Sequence, residues 1–349
     1  MMRILSIYNL NQIAESYRED LIRRGHSVDI FEPSLIGASA PLPVKLAMMP
    51  KRLFNLRHVL GDLHPGRYDL VHIHWASYGA LGLVGQIPYI VECHGSDVRY
   101  RLQHPIHRSI LKTIFRHAAG VHCITPDILP LVQSIRSDAL FFPGPVDTDR
   151  FAPLEETGED GSAHPWSILV FMRLDPIKGA EVAVEGVARF AEHHPEVRVQ
   201  VLDWGKLKEP FKQKYSKRFE FLPRIPSTEV QYMLHGANVV VGQCKVGSLG
   251  LCELQAMSCA KPVIASFFYP EAYPAPPPLC QATTPEEIQE HLETLFQDRA
   301  SAQELGKRAR SWAICNHSRQ NLSAKLEARY LSILAKHPLH QVDYESANF

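Results

Sequence analysis

No charge of either sign is in excess in this chain. Its 349 residues carry 37 Lys plus Arg against 37 Asp plus Glu, a formal net charge of zero. Composition therefore gives no argument for a nucleic-acid partner or a strongly acidic substrate. No CxxC pair occurs among the seven cysteines (93, 123, 244, 252, 259, 280 and 315), and no set of His, Cys and carboxylate shows metal-ligand spacing. Several cysteines lie in apolar runs, such as Cys93 in "YIVECHG" and Cys123 in "GVHCIT". Reduced, buried thiols of a cytosolic protein are expected, rather than disulfides or zinc. No apolar run reaches the roughly 18 to 20 residues needed to span a bilayer. "YGALGLVGQIPYIV" comes nearest, but glycines, Gln86 and Pro88 break it, and it reads as a helix followed by a strand. The apolar part of "MMRILSIYNL" is short for a signal peptide, and no small-residue cleavage site follows. A cytoplasmic protein is the expectation.

What the chain does have is 45% hydrophobic residues, ordinary for well-filled cores, and a length that suits two domains. Short apolar runs alternate with amphipathic stretches. "RILSIY" reads as a strand, 12–24 as a helix stopped by Gly25, and "HSVDIF" as a second strand. "DLVHIHW", "PYIVEC", "GVHCIT" and "ALFF" are further strands, with helical segments such as "PIHRSILKTIFRHAA" between them. The rhythm lapses in "PGPVDTDRFAPLEETGEDGSAHP", whose Pro, Gly and acidic residues suit an interdomain connection. It restarts with "SILVFM", "VRVQVLD", "EFL", "NVVVG" and "PVIAS", and the chain ends in helices. Near-continuous apolar strands separated by helices indicate parallel sheets covered on both faces. The expected fold is α/β, with two doubly wound Rossmann-like domains facing a cleft. The divisions are 1–145, a linker at 146–165, a second domain at 166–316, and a C-terminal helix and tail at 317–349 that could pack back on the first domain.

Two stretches carry candidate chemistry. "RLDPIKG" puts Arg173 and Lys178 on a loop that enters a helix after the first strand of the second domain. Two cations beside a helix N-terminus suit a diphosphate; a solvated basic loop is the alternative. In "KVGSLGLCELQAMSCAKPVIAS" (245–266) a helix is expected to start at Ser248 or Leu249. Its first N–H groups would be free, and Gly250 would let a ligand approach the backbone. Residues 248, 252, 255 and 259 share a face, so Gln255 lies on the side of the phosphate-binding end. Glu253 is about 200° away from Gln255 around the helix and cannot substitute for it.

Together these motifs resemble the retaining glycosyltransferases of the large sequence family numbered 4, which have the two-Rossmann-domain architecture called GT-B. "RGHSVDIF", "YDLVHIHW", "HGSD", "PGPVDTDRFAP" and "LHGANVVVG" resemble further segments of that family, in the family's order. The resemblance implies transfer of a sugar from a nucleoside-diphosphate sugar to a glycan or lipid-linked acceptor, with retention and without a metal or other cofactor. Arg173 and Lys178 match the pair that binds the donor diphosphate. His94 matches the first-domain histidine that reaches the transferred sugar, unless it is a core histidine at a strand end. Gly205, Ser248, Leu249, Gly250 and Gln255 fall at the donor site.

The chain also departs from the pattern. The family's Glu–seven residues–Glu pair is replaced by Gly247 and Gln255. An amide still offers an acceptor and two donors for the ribose, whereas Gly247 offers no side chain. "FFYPEAYPAPPP" stands where the family has two glycines and is expected to reshape the sugar pocket. The family's glycine-rich loop after the first strand is replaced by "YNLNQIAES", so Asn9 and Asn11, with Asp97 of "HGSD", are candidates for an acceptor or phosphate loop, or for a turn with no ligand. "VDTDR" (146–150) reads as a capped turn rather than a metal-binding Asp-x-Asp. With both family glutamates gone, a non-catalytic sugar-nucleotide-binding protein stays open, as does another GT-B enzyme such as a sugar-nucleotide epimerase. Segments 41–60 and 98–126 carry Lys and Arg but no acid, which suits either peripheral contact with an anionic membrane or a solvated face.

Overall fold

The apolar runs become strands because each is short and flanked by turn residues, and the central ones are buried on both faces. The computed structural model describes residues 1–33, 42–64, 66–154, 165–223 and 225–337. The chain divides into two compact units, 1–145 with 319–349, and 146–318. In the first unit the strands are β1 (Arg3–Ile7), β2 (Ser27–Phe31), β3 (Leu70–His74), β4 (Tyr89–Cys93), β5 (Gly120–Cys123) and β6 (Leu140–Phe141). All pair in parallel, in the order β2-β1-β3-β4-β5-β6. The second unit has β7 (Ser167–Val170), β8 (Arg198–Leu202), β9 (Glu220–Leu222), β10 (Val239–Val241), β11 (Val263–Ala265) and β12 (Cys280–Gln281), parallel in the order β12-β11-β10-β7-β8-β9.

The helices that matter below are α1 (Ile13–Arg23), α2 (Leu42–Ala47), α3 (Met49–Asp62) and α4 (Pro105–His117) in the first unit. In the second they are α5 (Ala180–His193), α6 (Leu251–Ser258), α7 (Pro285–Gln297) and α8 (Arg299–His317), and α9 (Arg319–Lys336) closes the chain. Alternate strand residues serve opposite faces. Leu5, Ile7, Val71, Ile73 and Val91 pack with Val59 of α3 and with Leu111, Ile114 and Phe115 of α4. Ile4, Leu70 and Ile90 face the other way, onto Ile13, Tyr17 and Leu21 of α1 and onto Leu322, Leu326, Tyr330 and Ile333 of α9. The last helix therefore belongs to the first unit's core, because its apolar face completes a layer that α1 alone leaves open. In the second unit, α5 and α7 cover one face of the sheet while α6 and α8 cover the other.

Residues 146–154, expected as part of a linker, are packed into the second unit. Val146 bridges to Ser318, Phe151 is buried, and Arg310 donates to the Thr148 and Phe151 carbonyls at 3.3 and 3.1 Å. The rest of that stretch, 155–164, lies outside the described residues. Asp147 accepts from the Arg150 backbone N–H at 3.1 Å, the turn contact expected of "VDTDR". All seven cysteines are unpaired. Burial pushes the thiols of Cys244 and Cys252 up to about 12 and those of Cys259 and Cys280 up to about 11, which keeps them protonated and unreactive, while Cys315 is exposed.

Candidate functional site

The second sheet starts at β7, extends through β8 and β9, then crosses back to lay β10 on the other side of β7. Strand order thus reverses between β7 and β10, and ligands of doubly wound sheets bind beyond the carboxyl ends of strands at that reversal. Arg173 and Lys178 follow β7, Gln243 to Gly250 follow β10, and Gly205 follows β8. A connected set of contacts joins these loops. Lys178 Nζ donates to Gln243 Oε1 at 2.7 Å, and the Cys244 N–H donates to the Lys178 carbonyl at 2.9 Å. The buried Gln243 donates through its amide to the Ser248 carbonyl and through its backbone to Glu253 Oε1 at 2.8 Å. Glu253 Oε2 accepts from the Gly250 N–H at 2.8 Å, which caps α6.

Arg173 is held from two sides. Its Nε stands 2.5 Å from Asp175 Oδ2, and its guanidinium lies over the Trp204 ring, 5.8 Å from the centroid. Asp175 is buried, and its other oxygen accepts from the Lys206 N–H at 2.9 Å. Gly205 makes this loop feasible. Its φ is +129°, and a Cβ there would stand 2.5 Å from the Leu174 backbone. The loop after β8 can lie against Leu174, and bring Trp204 to Arg173, only without a side chain at 205. Gln243 and Trp204 escaped sequence reasoning, since neither sits in a recognisable motif.

The helix start differs from expectation. α6 begins at Leu251 with Gly250 as its cap, two residues later than Leu249, because the Glu253 carboxylate takes the Gly250 N–H. Ser248 and Leu249 are buried before it. Gln255 is half-buried, and Glu253, on another side of the helix, is buried. At Gly247, φ is +73° and a Cβ would stand 2.0 Å from Phe268 Cδ2. The Gly247 N–H donates to Ser266 Oγ at 3.2 Å, and its carbonyl accepts from the Phe268 N–H at 2.8 Å. Phe268, from the segment that replaces the family's two glycines, occupies the space a glutamate at 247 would need.

In the first unit, Asp97 is fully buried and serves the loops rather than a surface. It accepts from the His94 N–H at 2.9 Å and from the Ala76 N–H at 2.8 Å. Burial raises its pKa, against the pull of these contacts. Asn9 Oδ1 accepts from the Glu15 N–H at 3.1 Å, and the Asn9 N–H donates to Glu32, so Asn9 ties the turn before α1. The side chain of Asn11 lies outside the described residues. Tyr8 (φ 73°), Gln12 (φ 63°) and Trp75 (φ 138°) hold backbone conformations that favour glycine. The loop after β1 thus keeps left-handed turns without glycines, at about 1 to 2 kcal/mol per residue. Tyr8 packs edge-on against Trp75 and Tyr78, with centroids 6.1 and 5.3 Å apart.

The His94 side chain is only 2% exposed and turns inward, its Nε2 3.1 Å from Glu92 Oε1. Glu92 gathers His74 at 2.9 Å and His72 at 3.6 Å as well. Burial opposes the Glu92 charge, but His74 above all, then the hydrogen bond from His94, overrides it and holds the carboxyl well below the usual range. Burial pushes His72 well down and His122 down to about 4, so both stay neutral. The sequence showed no metal-ligand spacing, yet the sheet brings His72, His74 and Glu92 together.

Comparison with known proteins agrees with this arrangement. Residues 10–139 match the family described as Glycosyl transferase 4-like domain, and residues 159–312 match Glycosyl transferases group 1. One match falls on each unit, together they cover most of the chain, and the protein belongs to the glycosyltransferases of family-4 type with GT-B architecture. A D-inositol 3-phosphate glycosyltransferase of Pseudarthrobacter chlorophenolicus is 25% identical over 237 residues, 58% of this chain and 55% of that relative. The match therefore spans about half the relative's length. Sucrose-phosphate synthase from Thermosynechococcus elongatus superposes with a TM-score of 0.72 at 17% identity, over 96% of this chain and 100% of the other. Anabaena HepE in complex with UDP and glucose gives 0.66 at 17% identity, over 95% and 100%. At such identities these structures speak to the fold alone. No helix among the described residues is long and apolar enough to cross a membrane.

Proposed function

We propose that this protein is a retaining glycosyltransferase that moves a sugar from a nucleoside-diphosphate sugar to a glycan or glycolipid acceptor, without a metal in the transfer step. The observation that carries the proposal is the Lys178–Gln243 bond at the strand-order reversal, which joins the lysine to the capped start of α6. Arg173, braced by Asp175 and Trp204, is the second cation. Fixed positive groups where the leaving diphosphate gathers charge lower the barrier without reorganisation. UDP-glucose is a reasonable first candidate, because HepE is solved with UDP and glucose. Same-face attack, with the departing diphosphate taking the acceptor's proton, is the step such a site suits.

Calorimetry with UDP, GDP, ADP and dTDP and their common sugars, without added metal, tests the proposal. One nucleotide should bind, and Lys178→Ala or Arg173→Ala should each lower turnover by about a hundredfold or more in a folded protein. Transfer at the parent rate by either variant would overturn the assignment. A second reading is favoured by Gly247 and Gln255: the protein binds a sugar nucleotide without transferring it. Tight donor binding with neither hydrolysis nor transfer to any acceptor would establish that reading. The transferase-type matches on both units favour transfer over epimerisation.

Peripheral membrane contact belongs to the same proposal. On α4, Arg108, Lys112 and Arg116 are exposed beside Ile106 and Ile110, which are 66% and 46% exposed. Arg99, in the turn before α4, is paired with Asp127, 2.5 Å away. In segment 41–60 the side chains of Lys45, Lys51 and Arg52 lie outside the described residues, though α2 and α3 are helical there. Co-sedimentation with anionic but not neutral vesicles is expected. Equal recovery with both would end the idea.

A further inference from the structure

An island of polar groups lies on the face of the first sheet that α1 and α9 cover. Strand register sets Ser6 beside His72 and His74 beside Glu92, with His122 next to Glu92 on β5. His72, His74, Glu92 and His122 are each 1% exposed or less. Polar atoms at this depth are costly unless partnered. Yet His72 Nε2 and Glu92 Oε2 face one another at 3.6 Å, and neither has a hydrogen-bond partner. The far nitrogen of each histidine is occupied: the Tyr330 hydroxyl is 2.7 Å from His72 Nδ1, and Ser6 Oγ is 3.0 Å from His74 Nε2. A partner on the outer nitrogen fixes the orientation of a ligating imidazole, and here hydroxyls take that place while the inner nitrogens converge on a carboxylate.

We propose that His72, His74 and Glu92 bind one zinc ion as a structural centre of the first unit. One ligand atom from each lies within 4.8 Å of the other two. Two imidazoles and a carboxylate suit zinc, whereas magnesium and calcium prefer shells made mostly of oxygen. Ligands at zinc distance in a tetrahedron stand about 3.4 Å apart, close to the gap between His72 Nε2 and Glu92 Oε2. The 2.9 Å His74 contact is to the other Glu92 oxygen, so loading would widen it and draw the three ligand atoms together from a spread of up to 4.8 Å. His94, whose Nε2 also lacks a hydrogen-bond partner, is the nearest further ring; it or a water completes the shell. Every partner of the Glu92 carboxylate among the described residues is a histidine. A divalent ion supplies positive charge while the imidazoles stay neutral, the form in which they ligate. The ion would clamp β3 to β4 and so fix the loop that carries His94. This centre does not depend on the transferase reading, since metal content is measured without donor or acceptor.

The test uses the full chain, freed of any histidine tag. Elemental analysis of protein from zinc-supplemented cells should give about one zinc per chain. After stripping, added cobalt(II) should produce the visible bands of a tetrahedral nitrogen–oxygen site. His72→Gln and Glu92→Gln should weaken binding at least a hundredfold. Should those variants fail to fold, Tyr330→Phe and Ser6→Ala leave the ligands intact and should weaken it about tenfold or more. Folded parent protein with no stoichiometric zinc and no cobalt bands overturns the proposal. So does metal binding that is unchanged in His72→Gln and Glu92→Gln, or in Tyr330→Phe and Ser6→Ala.

Discussion

At Gly247 a backbone φ of +73° and the Phe268 ring act together against any side chain. A residue forced into that conformation costs about 1 to 2 kcal/mol, and overpacking against a ring adds about 1 to 3 kcal/mol. Gly247→Glu should therefore destabilise the second unit by about 2 to 5 kcal/mol and leave donor binding no tighter, despite restoring the family's residue. Removing the ring as well, with Phe268→Ala, should recover part of the loss. Urea unfolding measures the first claim, and a Gly247→Glu protein as stable as the parent would refute it. Gln255 is different. It is half-buried with no such obstacle, so Gln255→Glu should keep or tighten donor binding by calorimetry.

The element that organises the donor loops is the N-terminus of α6. Its cap is the Glu253 carboxylate, which accepts from the Gln243 and Gly250 backbones, and Gln243 in turn receives Lys178. A carboxylate can accept from both N–H groups, whereas an amide must turn a donor toward one of them. Glu253→Gln should cost about 1 to 3 kcal/mol of stability, the penalty for leaving one buried donor unmet. It should also raise the donor dissociation constant, although Glu253 is buried away from solvent. Unchanged stability together with unchanged donor affinity would show that the cap does not position Lys178.

For the whole molecule, the return of α9 to the first unit matters most. Its inner face is apolar at Leu322, Leu326 and Ile333, and its outer edge is tied through Glu327, which lies 2.7 Å from His26 Nε2 and 3.0 Å from Arg24. The hydrogen bond from His26, then that from Arg24, holds the Glu327 carboxyl below its ordinary value. A carboxyl with a lowered folded pKa stabilises the fold fully above the unfolded value, about 4.3, and loses that contribution as pH falls through the folded value. Melting temperatures below about pH 5 should fall more steeply in the parent than in Glu327→Gln. Parallel slopes would mean that the contact contributes nothing.

The sequence by itself determined the alternation of strands and helices, the two-domain class, and the loops bearing Arg173, Lys178 and Gly250. Period and turn chemistry are local, so neighbouring residues suffice to reveal them. It also separated Glu253 from Gln255 around their helix, because helical angle follows from residue number; that Glu253 faces inward came from the fold. Only the tertiary structure decided that Gln243 receives Lys178, since the two are 65 residues apart and meet through strand order. Only the fold laid Phe268 on Gly247 and drew 146–154 into the second unit. The same holds for His72, His74 and Glu92. An alternating pair on one strand gains a partner 18 residues later only when β4 pairs with β3, and register puts the three side chains on one buried face.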